Sequence, residues 1–232
     1  MPAETPDPRA ELSTRTIAAA IFDFDETIID LEAEHAAASR ALCRELGSDF
    51  DALPDAIRLA SGTRIIDELR EMRAHFGWTA SVDELLARRQ ELFGAICREA
   101  ALEPLPGVRE TIAALRARQI PLAIASSAVR GAIEAILTRL ALRDAFTLIV
   151  DGSEVRHGKP DPEAYLVTAE KLGVAAAECV VFEDSHVGVV AAKRAGMFCI
   201  GVRNPRAQTR QDLDAADVVV NSMSEALPLL RR

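Results

Sequence analysis

The sequence predicts an α/β fold, a doubly wound parallel sheet with an inserted all-helical cap domain, on three observations. Short apolar runs recur at 17–24, 120–125, 146–150, 179–182, 197–202 and 218–220, each the length of a strand buried on both faces. Helix-period segments separate the later runs, at 129–142, 162–172, 187–195 and around 208–215. Strands that alternate with helices imply right-handed crossovers in one parallel sheet. Between the first two runs, from about 31 to 103, the chain offers only helical patterns, at 32–46, 51–60, 64–75 and 82–101.

Each element follows from its residues. The first run, IAAAIFDF at 17–24, is apolar with aromatics and ends in acids, as a buried strand that reaches a polar edge would. The helical insert closes at Glu103-Pro104-Leu105-Pro106-Gly107, where two prolines restrict the chain and a glycine relaxes it. Ahead of the first strand, three prolines and mixed charges without periodicity read as a loose tail. The expected organisation is therefore a disordered tail at 1–16, a core formed by 17–30 with 104–232, and a helical cap domain at 31–103.

The composition narrows the partners. With 232 residues, 27 Lys+Arg against 36 Asp+Glu, a net charge of −9 and 49% hydrophobic residues, disorder throughout is excluded. An acidic chain without a basic patch repels phosphate backbones and anionic lipid, which leaves a small metabolite as the expected partner, with no nucleic acid and no membrane. Neither a bilayer-length apolar stretch nor a basic-then-apolar leader is present in the sequence, so a cytoplasmic location is expected. Cys43, Cys97, Cys179 and Cys199 stand far apart without a CxxC pair and are expected to be reduced packing residues. A monomer or weak homodimer is expected.

Ligands of open parallel sheets sit at the carboxyl ends of the strands, so the polar residues there carry the chemistry. The first strand runs into Asp23-Phe24-Asp25-Glu26-Thr27, and alternation sends Asp23 and Asp25 to one side and Phe24 to the other. Two carboxylates on one side are tolerable around a hard divalent cation such as Mg²⁺, although solvated or capping acids give the same pattern. The second strand ends in Ser126-Ser127, hydroxyls that either bind a phosphate oxygen or cap a helix. Lys159 follows the third strand in a rigid turn, and Glu183-Asp184-Ser185 ends the fourth. Each feature alone has a plain structural reading. Together they supply an anionic metal cage, a cation and a hydroxyl at one sheet edge, which suits a phosphoryl group.

These motifs resemble the haloacid dehalogenase (HAD) superfamily of phosphotransferases, in the branch with a helical C1 cap after the first motif, which includes β-phosphoglucomutase and sugar-phosphate phosphatases. The resemblance covers nearly all of 17–230 and rests on DFDET at 23–27, Ser126 after its apolar strand, GKPDPEAY at 158–165 and FEDSHVG at 182–188. It implies a Rossmann-like core in which Asp23 attacks phosphorus to give an aspartyl phosphate, and Asp25 protonates the leaving oxygen and then activates water. It further implies Mg²⁺ held by Asp23, Asp184 and the Asp25 backbone carbonyl. Glu183 would be a water-bridged ligand or a support behind the ligands. Lys159 would offset the charge of nucleophile and phosphate, with Ser126 donating to a phosphate oxygen. Ser127 is counted with the substrate-binding residues. In the cap, His35 stands where the family's sugar-phosphate mutases keep a hinge histidine. Arg89 with Phe93 resembles a basic-x-x-x-aromatic pattern that reaches the active site, and Gly62-Thr63-Arg64 resembles the specificity segment. Surface positions would explain these cap residues equally well.

Two departures qualify the resemblance. Glu26 stands where most of the family has glycine; it either faces the turn towards the cap and selects against strongly anionic leaving groups, or is solvated. After Ser126 the mutase's polar grip for a distal phosphate is replaced by Ala128, Val129 and Arg130, of which only Arg130 is polar. The expected function is thus Mg²⁺-dependent hydrolysis of a small phosphate monoester such as a sugar phosphate. A β-phosphoglucomutase-like phosphomutase is the alternative, and a non-enzymatic phospho-accepting regulatory protein is the alternative of another class.

Overall fold

The computed structural model describes residues 12, 15–58, 62–204, 207 and 211–230. Six strands form one sheet: β1 (Ala19–Phe22), β2 (Leu122–Ala125), β3 (Leu148–Val150), β4 (Cys179–Glu183), β5 (Phe198–Val202) and β6 (Val218–Val220). Their order is β3-β2-β1-β4-β5-β6, with every pairing parallel. The chain lays β2 and β3 to one side of β1 and then returns to place β4 on the other. The order therefore reverses between β1 and β4, and a crevice opens outside their carboxyl ends.

Between β1 and β2 lie α1 (Glu32–Glu45), a 3₁₀ turn (Phe50–Ala52), α2 (Asp55–Arg58), α3 (Ile65–Phe76), α4 (Val82–Glu99) and α5 (Val108–Ala117). The later crossovers carry α6 (Arg130–Arg139), α7 (Glu163–Leu172) and α8 (His186–Arg194), and α9 (Met223–Ala226) follows β6. Strand alternation divides the core between the two faces of the sheet. Ala20, Phe22, Val180 and Phe182 pack with Ile112 and Leu115 of α5 and Ile133 and Ile136 of α6. Ala19, Ile21, Cys179 and Val181 pack with Tyr165 of α7 and Val189 of α8. Phe22 stacks on Phe182 with ring centroids 4.6 Å apart, beside the crevice.

The helical insert has its own apolar cluster, in which Leu42 and Cys43 of α1 meet Leu69 and Met72 of α3, Leu85 of α4 and Trp78 from the connection between α3 and α4. The start of α4 is set by a capping box: the Ser81 hydroxyl accepts from the Glu84 N–H at 3.3 Å, and the Glu84 carboxylate accepts from the Ser81 N–H at 2.8 Å. Farther along the same helix, Phe93 and Cys97 pack into the sheet's own core, so α4 bridges insert and sheet. All four cysteines are free and buried, and among the described residues no helix is long and apolar enough to cross a membrane.

Some elements differ from expectation. The helix expected at 51–60 is interrupted at Pro54, because the residue before a proline is driven out of helical geometry and Leu53 is extended at φ −68°, ψ 144°; residues 59–61 lie outside the described residues. Around 208–215 the described part, 211–215, forms no helix. There Gln211 turns its amide to Asn204 and Asp184, and Leu213 is drawn fully into the core. Helix α5 lies outside the expected set although Val108, Ile112 and Leu115 have helical spacing. Leu12, within the stretch expected to be a loose tail, is 2% exposed and packs with the main core; residues 1–11 and 13–14 lie outside the described residues.

Candidate active site

Asp23 leaves β1 with its backbone N–H donating to the Phe182 carbonyl at 3.0 Å, which locks it against the end of β4. Phe24 turns the opposite way, into the core. The Asp23 carboxylate is buried and accepts from Lys159 Nζ at 2.5 Å, and the same ammonium donates to Glu183 Oε1 at 2.6 Å. Burial lowers the affinity of Lys159 for its proton, but Asp23 and Glu183 more than reverse that and hold its pKa above the ordinary value. Burial pushes Asp23 up to about 7 against the pull of Lys159, with Glu183 adding to the rise. Asp184 is raised well above the usual carboxylate range, by burial first and then by Glu183 and Asp23.

Glu183 is saturated. Its Oε1 also accepts from the Tyr165 hydroxyl at 2.8 Å, while Oε2 accepts from the Asp184 N–H, the Ser185 N–H and the Ser185 hydroxyl, each at 3.0 Å. Gly188 makes room for it, since a Cβ there would lie 1.7 Å from Oε1. With five donors on two oxygens, Glu183 has no lone pair free for a cation, and its geometry is that of an anchor for Lys159. Asp184 accepts from the Thr27 hydroxyl at 2.9 Å and from Gln211 Nε2 at 3.3 Å. Tyr165, Thr27 and Gln211 were not among the residues expected here. Tyr165 is the sole tyrosine of the chain and closes the GKPDPEAY motif, the one signal that could have pointed to it.

Asp25 projects towards the insert. Its Oδ2 lies 3.5 Å from His35 Nε2, and its Oδ1 is buried without a hydrogen-bond partner. Arg89 Nη2 lies 3.0 Å from His35 Nδ1; an arginine only donates, so Nδ1 accepts and the ring proton sits on Nε2, facing Asp25. His35 stacks on Phe93 at 4.3 Å. Arg89 is buried, bonded to Ser39 Oγ and the His35 carbonyl, and desolvation lowers its pKa. The cavity between Asp25, His35, Arg89, Phe93 and Val129 is about 20 Å³, room for about one water molecule.

Other expected substrate contacts are engaged elsewhere. The Ser127 hydroxyl donates to the Gly62 carbonyl of the insert at 2.8 Å. Arg64 pairs with Asp67 at 2.7 Å and donates to the carbonyls of Val155 and Arg156, tying the insert to the loop before Lys159. The half-buried Glu26 faces the turn towards the insert, where its carboxylate accepts from the Leu31 N–H at 3.0 Å and from the Asn204 amide. Burial raises its pKa to about 8, with Asp30 adding to the rise. Arg130 is held by Asp151 and Glu154. Ser126 ends β2, where its hydroxyl accepts from the Ala128 N–H at 3.1 Å and keeps its own proton to donate.

Asp23 and Glu183 thus share one buried ammonium, while the neighbouring Asp184 is bonded by Thr27 and Gln211 and Asp25 is turned to His35. The raised pKa values of Asp23 and Asp184 are what a divalent cation at their oxygens would relieve, and an all-oxygen donor set suits Mg²⁺.

Comparison with known proteins agrees with this geometry. A family model described as haloacid dehalogenase-like hydrolase matches residues 17–196. The chain is 34% identical to hexitol phosphatase B of Escherichia coli K12 over 219 residues, covering 91% of this chain and 95% of that one. It is 33% identical to the β-phosphoglucomutase of Bacillus subtilis over 214 residues, covering 89% and 90%. Among solved structures, CbbY from Rhodobacter sphaeroides in complex with phosphate superposes with a TM-score of 0.84 at 26% identity, covering 94% of this chain and all of that one.

Proposed function

This chain belongs to the haloacid dehalogenase-like hydrolase family, among its sugar-phosphate phosphatases and phosphomutases, and from that premise we propose that it is a Mg²⁺-dependent phosphatase of a small sugar phosphate or similar monoester. The observation that carries the reading is the buried Asp23 carboxylate, fixed by Lys159 at the end of β1, with Asp25 near enough to act on its charge.

An Asp23 oxygen attacks phosphorus, and the bond from phosphorus to the ester oxygen breaks. Asp25 passes its proton to that leaving oxygen. Water then attacks the aspartyl phosphate while Asp25 takes a proton from it, releasing inorganic phosphate and restoring Asp23. Lys159, held by Glu183, which the Tyr165 hydroxyl fixes in turn, keeps a positive charge beside the reacting oxygens. Ser126 has a hydroxyl proton to give a phosphoryl oxygen. Asp23, Asp184 and the Asp25 carbonyl are the residues that would hold Mg²⁺, with Glu183 behind them. When bound, the ion supplies positive charge that offsets these carboxylates and polarises the phosphoryl group. The cavity of about 20 Å³ beside Asp25 and His35 is too small for a sugar phosphate, and movement of the insert away from the sheet would enlarge it.

Hydrolysis is favoured over mutase chemistry because Ala128 and Val129 are apolar and Arg130 is committed to Asp151 and Glu154, leaving nothing there to retain a second phosphate. The test is phosphate release from a panel of sugar monophosphates, with and without Mg²⁺, for wild type, Asp23→Asn and Asp25→Asn. Release is expected to need Mg²⁺, to vanish in Asp23→Asn and to fall about 10²–10⁴-fold in Asp25→Asn. Full activity of Asp23→Asn would overturn the mechanism. Isomerisation with a bisphosphate primer and no release would establish the phosphomutase instead.

A further inference from the structure

Glu26 occupies the turn that leaves β1 with φ 61°, the left-handed region that a side-chain-bearing residue enters only at a cost. Its backbone N–H donates to the Ile29 carbonyl at 2.7 Å and closes the turn. Its carboxylate joins two separate parts of the molecule. Oε1 accepts from the Leu31 N–H at 3.0 Å, and Oε2 accepts from the side-chain amide of Asn204, just beyond β5. Leu31 is the residue from which α1 starts; its own side chain cannot cap that end, where Asp30 accepts from the Glu32 N–H at 3.3 Å and Glu26 takes the Leu31 N–H. At the same place Ile29 is paired with Pro104, and the Leu105 N–H donates to the Ile28 carbonyl at 2.9 Å. Both connections between insert and sheet therefore run side by side next to Glu26.

Glycine would form this turn without strain, so the side chain is accounted for by what it holds. We propose that Glu26 is a positioning residue: a strut from the Asn204 loop to the start of α1 that sets the angle of the helical insert and so keeps His35 against Asp25. The distance from Leu31 to His35 is one helical turn, with the His35 N–H donating to the Leu31 carbonyl at 2.9 Å. Displacement of Leu31 thus moves His35 directly, and with it the 3.5 Å approach of its Nε2 to Asp25. Thr27, next in the chain, bonds Asp184, so the same turn also aligns a second acid of the site.

The proposal rests on the phosphatase reading only for its activity arm. Glu26→Gly relaxes the turn and removes both side-chain bonds; Glu26→Gln keeps an acceptor for Leu31 and can meet Asn204 by turning either amide. For the Gly variant of the full chain, a melting temperature equal to or above wild type is expected, with amide exchange across 28–36 about tenfold faster or more. Its kcat/KM for p-nitrophenyl phosphate is expected to drop about tenfold, carried by kcat, and the Gln variant to recover both readouts to within about threefold. Exchange in the Gly variant that matches wild type overturns the strut, as does a lowered melting temperature with exchange raised evenly over the chain. Should wild type release no phosphate from any ester, the phosphatase reading fails while the exchange comparison still decides the strut.

Discussion

Replacement of Lys159 by methionine tests the electrostatic core of the site. The lysine side chain is 1% exposed and lies 2.5 Å from Asp23 and 2.6 Å from Glu183. Methionine fills similar space without charge, leaving those acids buried and uncompensated, a loss of about 3–5 kcal/mol. For a chain of this length each kcal/mol lowers Tm by about 2–4 °C, so a fall of about 6–20 °C is expected. The pH dependence supplies a sign. Asp23 titrates at about 7 in the folded protein, above its ordinary 3.8, so between those values the folded state keeps a proton that the unfolded chain has lost. Stability therefore falls as pH rises through that window. Because Lys159 pulls this pKa down, its removal raises the folded value further and extends the fall to higher pH. Urea denaturation in EDTA at pH 5 and pH 8 measures both quantities. A loss below about 1 kcal/mol at pH 8, or a gap between variant and wild type that narrows as pH rises, would refute the reasoning.

Three further outcomes follow from the same geometry. Gly188→Ala drives a Cβ into the Glu183 carboxylate and should cost about 1–3 kcal/mol or more, together with most of the activity; a wild-type melting curve would contradict this. With Asp23 at about 7, Glu26 at about 8 and Asp184 raised, the metal-free protein should melt lower at pH 8 than at pH 5. Added Mg²⁺ should raise Tm more at pH 8, where its ligands are deprotonated, and a larger shift at pH 5 would count against the cation site. Arg89→Ala removes a buried guanidinium from the His35 cluster and should reorder preference across the sugar-phosphate panel; an unchanged profile would reduce Arg89 to a packing role.

The sheet was legible in the chain because each strand is a local signal, a short apolar run whose alternation serves two faces, as Ala20 and Phe22 against Ala19 and Ile21 illustrate. Positions at strand ends were legible for the same reason: Asp23, Ser126 and the pair Glu183-Asp184 each follow directly on an apolar run. Helix α5 escaped because its apolar residues follow a Pro/Gly turn that read as a boundary and nothing more.

What these side chains touch could not be read in that way. Thr27 meets Asp184 across 157 residues, Glu26 meets Asn204 across 178, and Ser127 meets the Gly62 carbonyl across 65. Glu183, in sequence one of two adjacent acids, became the anchor of Lys159 only when Tyr165, Ser185 and the space above Gly188 came together around it. Periodicity records which face of an element is apolar, since burial repeats with the helix or strand. A hydrogen bond between residues on different elements has no period, and depends on how α1, the turn at Glu26 and the ends of β4 and β5 come to pack against one another.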